Sequence, residues 1–284
     1  MGELAINADV YRDADRDDLP MVVFIHGGAL INGHREWIPE WLVRAAEDDG
    51  YTLVSLDYRL APQTKLPEIV EDVVDAFRWL RDDSGRPFRA DPKRVAVVGE
   101  SAGGYLTLAT GFLVDPRPSA LISFWGYGDL IGDWYSRPSN HPCHNQVHLS
   151  ADEAYRQVAG PPIADERDRV GDGGAFYQFC RQQGTWPTVV SGWDPERDAD
   201  AFRMFMPLAN VSSDYPPTLL VHGDRDTDVP VEQSELMAAE LARFGVEHRL
   251  LSVAGGEHGL EDVEPSEVDA VEREAAEFLK HHLA

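Results

Sequence analysis

Lysine is nearly missing from this chain. Lys65, Lys93 and Lys280 are the only ones in 284 residues, and the 25 basic residues face 50 acidic ones, a formal net charge of −25. A chain this acidic is repelled by nucleic acid and by anionic membrane surfaces, so neither is an expected partner. The acidity has two readings: a dense hydrated surface adapted to high salt, or an ordinary solvated surface in a sequence that prefers arginine. Cysteine is also scarce, with Cys143 and Cys180 alone. Two cysteines exclude a disulfide-rich scaffold and make a reduced pair the default. No apolar run approaches the roughly 20 residues of a membrane-spanning helix, so membrane insertion is not expected. The opening stretch MGELAINADVYRDADRDD is acidic and has no apolar segment. It does not read as a secretory signal, and the cytoplasm is the expected location. Repeats and low-complexity tracts are absent as well.

What is present is an ordinary globular composition, 43% hydrophobic and 10% aromatic. The length suits one large α/β domain with room for an inserted subdomain. Strand and helix patterns alternate along most of the chain. A weak edge strand is expected at Ala5 to Tyr11, then strands at Met21 to Ile25, Tyr51 to Leu56, Arg94 to Val98 and Ala120 to Trp125. Helices are expected at Trp37 to Glu47, Pro67 to Arg81 and Ala102 to Leu113. The alternation resumes with a strand at Pro217 to Val221, a helix at Glu232 to Phe244, a strand at His248 to Val253 and a last helix from about Ser266 to His282. Repeated β-α units imply a mostly parallel sheet with helices on both faces. Between Gly128 and Asn210 the alternation stops. That stretch is rich in Pro, Gly, Asp and aromatics, and is too long for a loop. The expected organisation is a catalytic core of residues 1–127 and 211–284 with an inserted cap of residues 128–210.

Gly99-Glu100-Ser101-Ala102-Gly103-Gly104 sits between a β-branched strand and a small-residue helix. This is the G-x-S-x-G pattern in the context it requires. A nucleophile on so sharp a turn has a strained backbone, and its neighbours two residues away must be small. The turn exposes the Ser101 hydroxyl and aims the Ala102 N–H at a developing oxyanion. With His26-Gly27-Gly28-Ala29 and Asp57-Tyr58-Arg59-Leu60-Ala61-Pro62, these residues resemble the microbial carboxylesterases related to hormone-sensitive lipase, within the α/β-hydrolase superfamily. The resemblance is good over Ala5 to Gly126 and more general from Pro217 onwards. The middle region matches no motif.

In the resembled family the residues at 26–29 read HGGG, and their amides complete an oxyanion hole. Carried over by position, the donors are the N–H groups of Gly28 and Ala29, with Ala102. His26 and Gly27 support the motif, as do Gly99, Glu100 and Gly103, and His26 is read as structural. The fourth residue departs from the family pattern, and its Cβ puts the loop conformation and the room near the acyl group in question. The stretch at 57–62 is read as support for this loop.

Chain order in this fold is nucleophile, acid, histidine. The pattern HG-x-x-D-x-x-VP at 222–230 selects Asp226 as the acid, leaving Asp224 and Asp228 as turn or cap residues. Gly256-Glu257-His258-Gly259, after the last strand, selects His258 as the base. His258 takes the Ser101 proton, Asp226 fixes the imidazole tautomer, and an acyl-enzyme forms and is hydrolysed. The expected activity is hydrolysis of small to medium carboxylic esters, with no cofactor. The alternatives are a peptidase or amidase of the same fold, and a non-catalytic binding protein. His141, Cys143, His144 and His148 fit no zinc spacing, so no metal is expected. The cap aromatics could line a pocket or form the cap's own core. The oligomeric state stays open, with a homodimer among the arrangements the sequence allows.

Overall fold

The computed structural model describes residues 4–82, 89–171 and 173–284. The first three residues of the expected core, its residues 83–88, and residue 172 of the expected cap lie outside the described residues. Seven strands form one sheet: β1 (Ala8–Tyr11), β2 (Leu19–Ile25), β3 (Thr52–Leu56), β4 (Ala90–Glu100), β5 (Ala120–Phe124), β6 (Thr218–Gly223) and β7 (His248–Val253). Their order is β1-β3-β2-β4-β5-β6-β7. Only β1 runs antiparallel to its neighbour, pairing Ala8 with Leu56 and Tyr11 with Leu53. The alternation of β and α patterns predicted this mostly parallel sheet.

The central strands show why. Every residue of β2 is buried. Its side chains alternate between two apolar layers, as the two-residue strand period requires. Met21, Val23 and Ile25 enter one layer, which includes residues of α2 (Leu66–Arg81), α3 (Ala102–Leu113) and α9 (Glu232–Arg243). Val22 and Phe24 enter the other, with residues of α1 (Glu40–Asp49) and α10 (Pro265–Leu283). Helices therefore cover both faces.

Several boundaries differ from expectation, among them the start of β1 at Ala8 rather than Ala5 and of β2 at Leu19 rather than Met21. α1 begins at Glu40 rather than Trp37, because Pro39 at its N-cap holds an extended ψ of 135°. It stops at Gly50, whose φ of 75° lets its N–H close on the Ala46 carbonyl. β4 begins four residues before Arg94, because Ala90 pairs with Leu19 across a register shift in β2.

Residues 128–210 add no strand to the sheet among the described residues. They form the short helices α4 (Asp133–Ser136), α5 (Ala151–Gln157), α6 (Gly174–Gln183), α7 (Trp186–Ser191) and α8 (Ala199–Arg203). Tyr135, Phe176, Trp186 and Phe202 are fully buried, in the same apolar layer as Tyr105 of α3. These four therefore extend the main apolar layer and do not form a separate core of residues 128–210.

Candidate active site

β4 delivers its last residue, Glu100, to the carboxyl edge of the sheet, and Ser101 turns the chain into α3. Ser101 has φ 53° and ψ −119°, a strained pair for a residue with a side chain. The turn is held by the Ser101 N–H donating to the Phe124 carbonyl at 2.9 Å and by Tyr105 N–H donating to the Ser101 carbonyl at 3.0 Å. It also requires small neighbours. A Cβ on Gly103 would collide with the carbonyls of Ile25 and His26, so α3 could not approach β2.

A chain of hydrogen bonds runs from Ser101 to two later loops. His258 Nε2 lies 3.1 Å from Ser101 Oγ. His258 Nδ1 lies 2.7 Å from Asp226 Oδ2. The sequence-predicted serine, histidine and aspartate are thus brought together from three strand ends. Asp226 is further fixed by the backbone N–H groups of Asp228 and Val229, which donate to its Oδ1 at 2.9 and 2.8 Å. Burial pushes Asp226 up, but hydrogen bonds with His222 and His258 outweigh it and hold the carboxyl below its usual range. Burial favours neutral His258, yet the bond to Asp226 and the charges of Asp228, Asp226 and Glu257 leave its pKa above the ordinary value.

The loop after β2 passes close beside. A methyl group on Gly27 would sit 3.3 Å from Ser101 Cβ. Gly28 has φ 101°, and its carbonyl accepts from Ile31 and Asn32 at 2.8 and 2.9 Å, a tight turn. Ala29 and Leu30 follow at φ 54° and 61°. The loop therefore keeps its left-handed path with alanine in the fourth position, at the cost of strain at Ala29. Among the described residues, the N–H groups of Gly28, Ala29 and Ala102 donate to no protein acceptor.

The support expected from residues 57–62 is present. Tyr58 hydroxyl donates to the carbonyls of His26 and Gly27, both at 3.0 Å, and its ring stacks on His26 at 4.3 Å. Ala61 N–H donates to the Leu30 carbonyl at 2.7 Å. Asp57 holds Arg35, on the segment that follows this loop, through both carboxylate oxygens at 2.7 Å. His26 is fully buried, which pushes its pKa down to about 4 and keeps it neutral. Glu100 is pushed up to about 7, chiefly by burial, with His258 lowering and Glu272 raising it.

One expectation is corrected. Asp224 is a turn residue as predicted, with its Oδ1 accepting from Gly255 N–H at 2.6 Å. Asp228 is not. Its Oδ1 accepts from His144 Nε2 at 2.7 Å, Tyr177 hydroxyl at 2.5 Å and Arg181 Nη1 at 3.0 Å. Asp224 lies in the turn after β6 and bonds a backbone N–H, whereas Asp228 accepts from three side chains and joins the 128–210 segment to the loop that carries Asp226. His144 is committed to this link and to Ser139, whose Oγ lies 2.7 Å from its Nδ1.

Sequence reasoning gave no role to His222 or Glu257, and weighed Trp186 only as one of the aromatics of residues 128–210. Buried His222 places Nε2 3.2 Å from Asp226 Oδ2 and 2.9 Å from the Val229 carbonyl, and Nδ1 2.7 Å from Ser234 Oγ. Glu257 Oε1 accepts from Thr227 N–H at 2.6 Å and His258 N–H at 3.1 Å, tying the acid loop to the histidine loop. Both lie inside motifs already singled out. Trp186 donates to the Ala29 carbonyl from α7, and no local pattern marks it.

A family model described as alpha/beta hydrolase fold matches residues 22–262. The chain is 28% identical to the non-reducing polyketide synthase adrD of Penicillium rubens, over 99% of this chain and 13% of that protein. It is 26% identical to the esterase LipC of Mycobacterium tuberculosis, over 95% of this chain and 61% of that protein. The chain thus spans only 13% of the length of the synthases it matches. An alpha/beta hydrolase superfamily protein from Enterococcus faecalis superposes with a TM-score of 0.77 and 25% identity, over 97% of this chain and 95% of that one. Carboxyl esterase 2 of Tuber melanosporum superposes at 0.69 with 20% identity, over 98% and 83%.

Proposed function

The chain belongs to the alpha/beta hydrolase fold family, and from that premise we propose that it is a carboxylesterase working through Ser101, His258 and Asp226. The observation that carries this reading is the continuous chain from Ser101 Oγ through His258 to Asp226, at 3.1 and 2.7 Å, on a serine held at φ 53°. His258 Nε2 accepts the Ser101 proton as Oγ attacks the ester carbonyl. Asp226 stays ionised, accepts a hydrogen bond from the Nδ1–H and stabilises the imidazolium. The amides of Gly28, Ala29 and Ala102 receive the oxyanion, and removal of one such donor typically costs about 3 kcal/mol. His258 returns the proton to the leaving alcohol, then activates water to hydrolyse the acyl-enzyme. Residues 128–210 act as the cap, since they supply Trp186 to the oxyanion loop and three donors to Asp228.

The test is hydrolysis of p-nitrophenyl acetate and butyrate with fluorophosphonate labelling, in wild type and Ser101→Ala. Both signals are expected in wild type and lost in the variant. Labelling that survives Ser101→Ala would overturn the assignment, and faster turnover of aminoacyl anilides would favour an amidase.

A second reading has one observation in its favour, the match along nearly the whole chain to part of a polyketide synthase. There the same serine would take its acyl group from a thioester. Comparing a butyryl thioester with propyl butyrate separates the two readings.

A further inference from the structure

We propose that Asp228 forms a subsite for a hydroxyl group on the alcohol half of the ester, so that the enzyme favours esters of polyols. This rests on Ser101 being the nucleophile. Asp228 Oδ1 is held by His144, Tyr177 and Arg181, at 2.7, 2.5 and 3.0 Å. Arg181 also donates to the Asp228 carbonyl at 2.8 Å, and its buried guanidinium lies 4.9 Å from the centre of the Tyr135 ring. A carboxylate anchored in this way cannot swing. Its other oxygen, Oδ2, points towards the reacting atoms, 3.8 Å from His258 Nε2. Among the described residues no hydrogen-bond donor reaches Oδ2, and the side chain is 22% exposed.

An ionised carboxylate is an acceptor on both oxygens, so Oδ2 offers an unfilled bond beside the nucleophile. Which half of the ester meets it follows from the chemistry. His258 Nε2 passes its proton to the departing alcohol oxygen, which must lie within roughly 3 Å of that nitrogen. The carbons next to that oxygen therefore lie near Oδ2, and a hydroxyl on the second carbon can donate to it. Arg181 offsets the charge of Asp228, so the site favours a neutral donor over a cation. A leaving group that carries negative charge is disfavoured.

The experiment compares kcat/KM for 1-monobutyrin and propyl butyrate, which share a carbon skeleton and differ in two hydroxyls. Wild type is expected to favour 1-monobutyrin by about tenfold or more. In Asp228→Asn the amide oxygen must face the three donors on the Oδ1 side, so the NH2 group takes the Oδ2 position. The preference should then shrink to within about threefold, whatever happens to each rate. Equal wild-type rates would overturn the subsite, even if Asp228→Asn fails to fold. A preference that keeps its wild-type size in Asp228→Asn would overturn it too, as would faster wild-type turnover of butyrylcholine than of 1-monobutyrin, since that ester offers charge without a donor. Hydrolysis that persists in Ser101→Ala would instead overturn the esterase reading, and the subsite with it.

Discussion

The indole nitrogen of Trp186 donates to the Ala29 carbonyl at 2.9 Å, and both residues are buried. This bond joins the segment between β5 and β6 to the loop that faces Ser101, and Gly33 N–H adds a second by donating to Glu166 Oε2 at 2.8 Å. Trp186→Phe keeps most of the apolar surface but leaves a buried carbonyl without its donor, a loss of about 1–3 kcal/mol. On the proposed mechanism, a loosened loop misplaces the Gly28 and Ala29 amides, whose contribution falls in the transition state more than in substrate binding. The expected result is a lower melting temperature with kcat down about tenfold and KM nearly unchanged. A lower melting temperature with intact kcat would make Trp186 a packing residue only.

Ala29 itself sets up a balance of small effects. Its φ of 54° costs an alanine about 1–2 kcal/mol. Ala29→Gly removes that strain, but it frees the unfolded chain by roughly 0.4–1 kcal/mol and gives up a buried methyl worth about 0.8 kcal/mol. The effects nearly cancel, so urea unfolding should move by less than about 1 kcal/mol. Ala29→Val has no such compensation, because a β-branched residue is an outlier at positive φ. It should unfold clearly earlier. Equal midpoints for the two variants would show that strain at Ala29 is not what sets its cost.

How much of the fold and site is legible in the sequence follows from how local each signal is. Ser101 is legible because strand, turn and helix are contiguous around it. Asp226 and His258 are legible because each follows a strand within a recognisable loop. Asp228 reads wrongly as a turn residue because its partners His144, Tyr177 and Arg181 lie 84, 51 and 47 residues away. Nothing within the loop distinguishes it from a turn aspartate. The segment at 128–210 resists reading for a related reason. Its helices run from four to ten residues, so few complete enough turns to write an apolar period into the sequence. Its organisation comes from aromatic packing against α3, which is a long-range property.

Glu100 should give the fold a recognisable pH dependence. Burial raises its carboxyl from 4.5 to about 7, so between these values the folded protein holds a proton that the unfolded chain releases. Stability from this group is therefore full below pH 4.5 and is lost as pH rises through about 7. Each tenfold gain in proton affinity on folding is worth about 1.4 kcal/mol, which makes the whole contribution about 3 kcal/mol at most. Glu100→Gln removes the titration. Relative to wild type, the variant should be more stable at pH 8 than at pH 5, as judged by melting across that range. A wild-type minus variant difference that stays flat with pH would refute this account of Glu100.

The activity profile tests the charges around His258. Asp226 faces its Nδ1, Asp228 and Ser101 face its Nε2, Glu257 accepts from its backbone N–H, and Glu100 acts on it from across the turn. Despite burial, Asp226, Asp228 and Glu257 raise the imidazole above its ordinary value of 6.5. A general base must be neutral to accept a proton, so kcat/KM should climb with pH through a limb lying above 6.5. For folding the sign is the reverse: the raised pKa stabilises the protein below 6.5, and that contribution is lost as pH climbs through the folded value. Asp228→Asn removes one of the raising charges without touching the bond to Asp226. Its acid limb should move to lower pH, so the variant keeps a larger share of its plateau rate at about pH 6 than wild type does. Profiles of p-nitrophenyl acetate hydrolysis from about pH 5 to 9 decide the matter, and an acid limb that stays fixed or rises in Asp228→Asn would show that its charge does not act on His258.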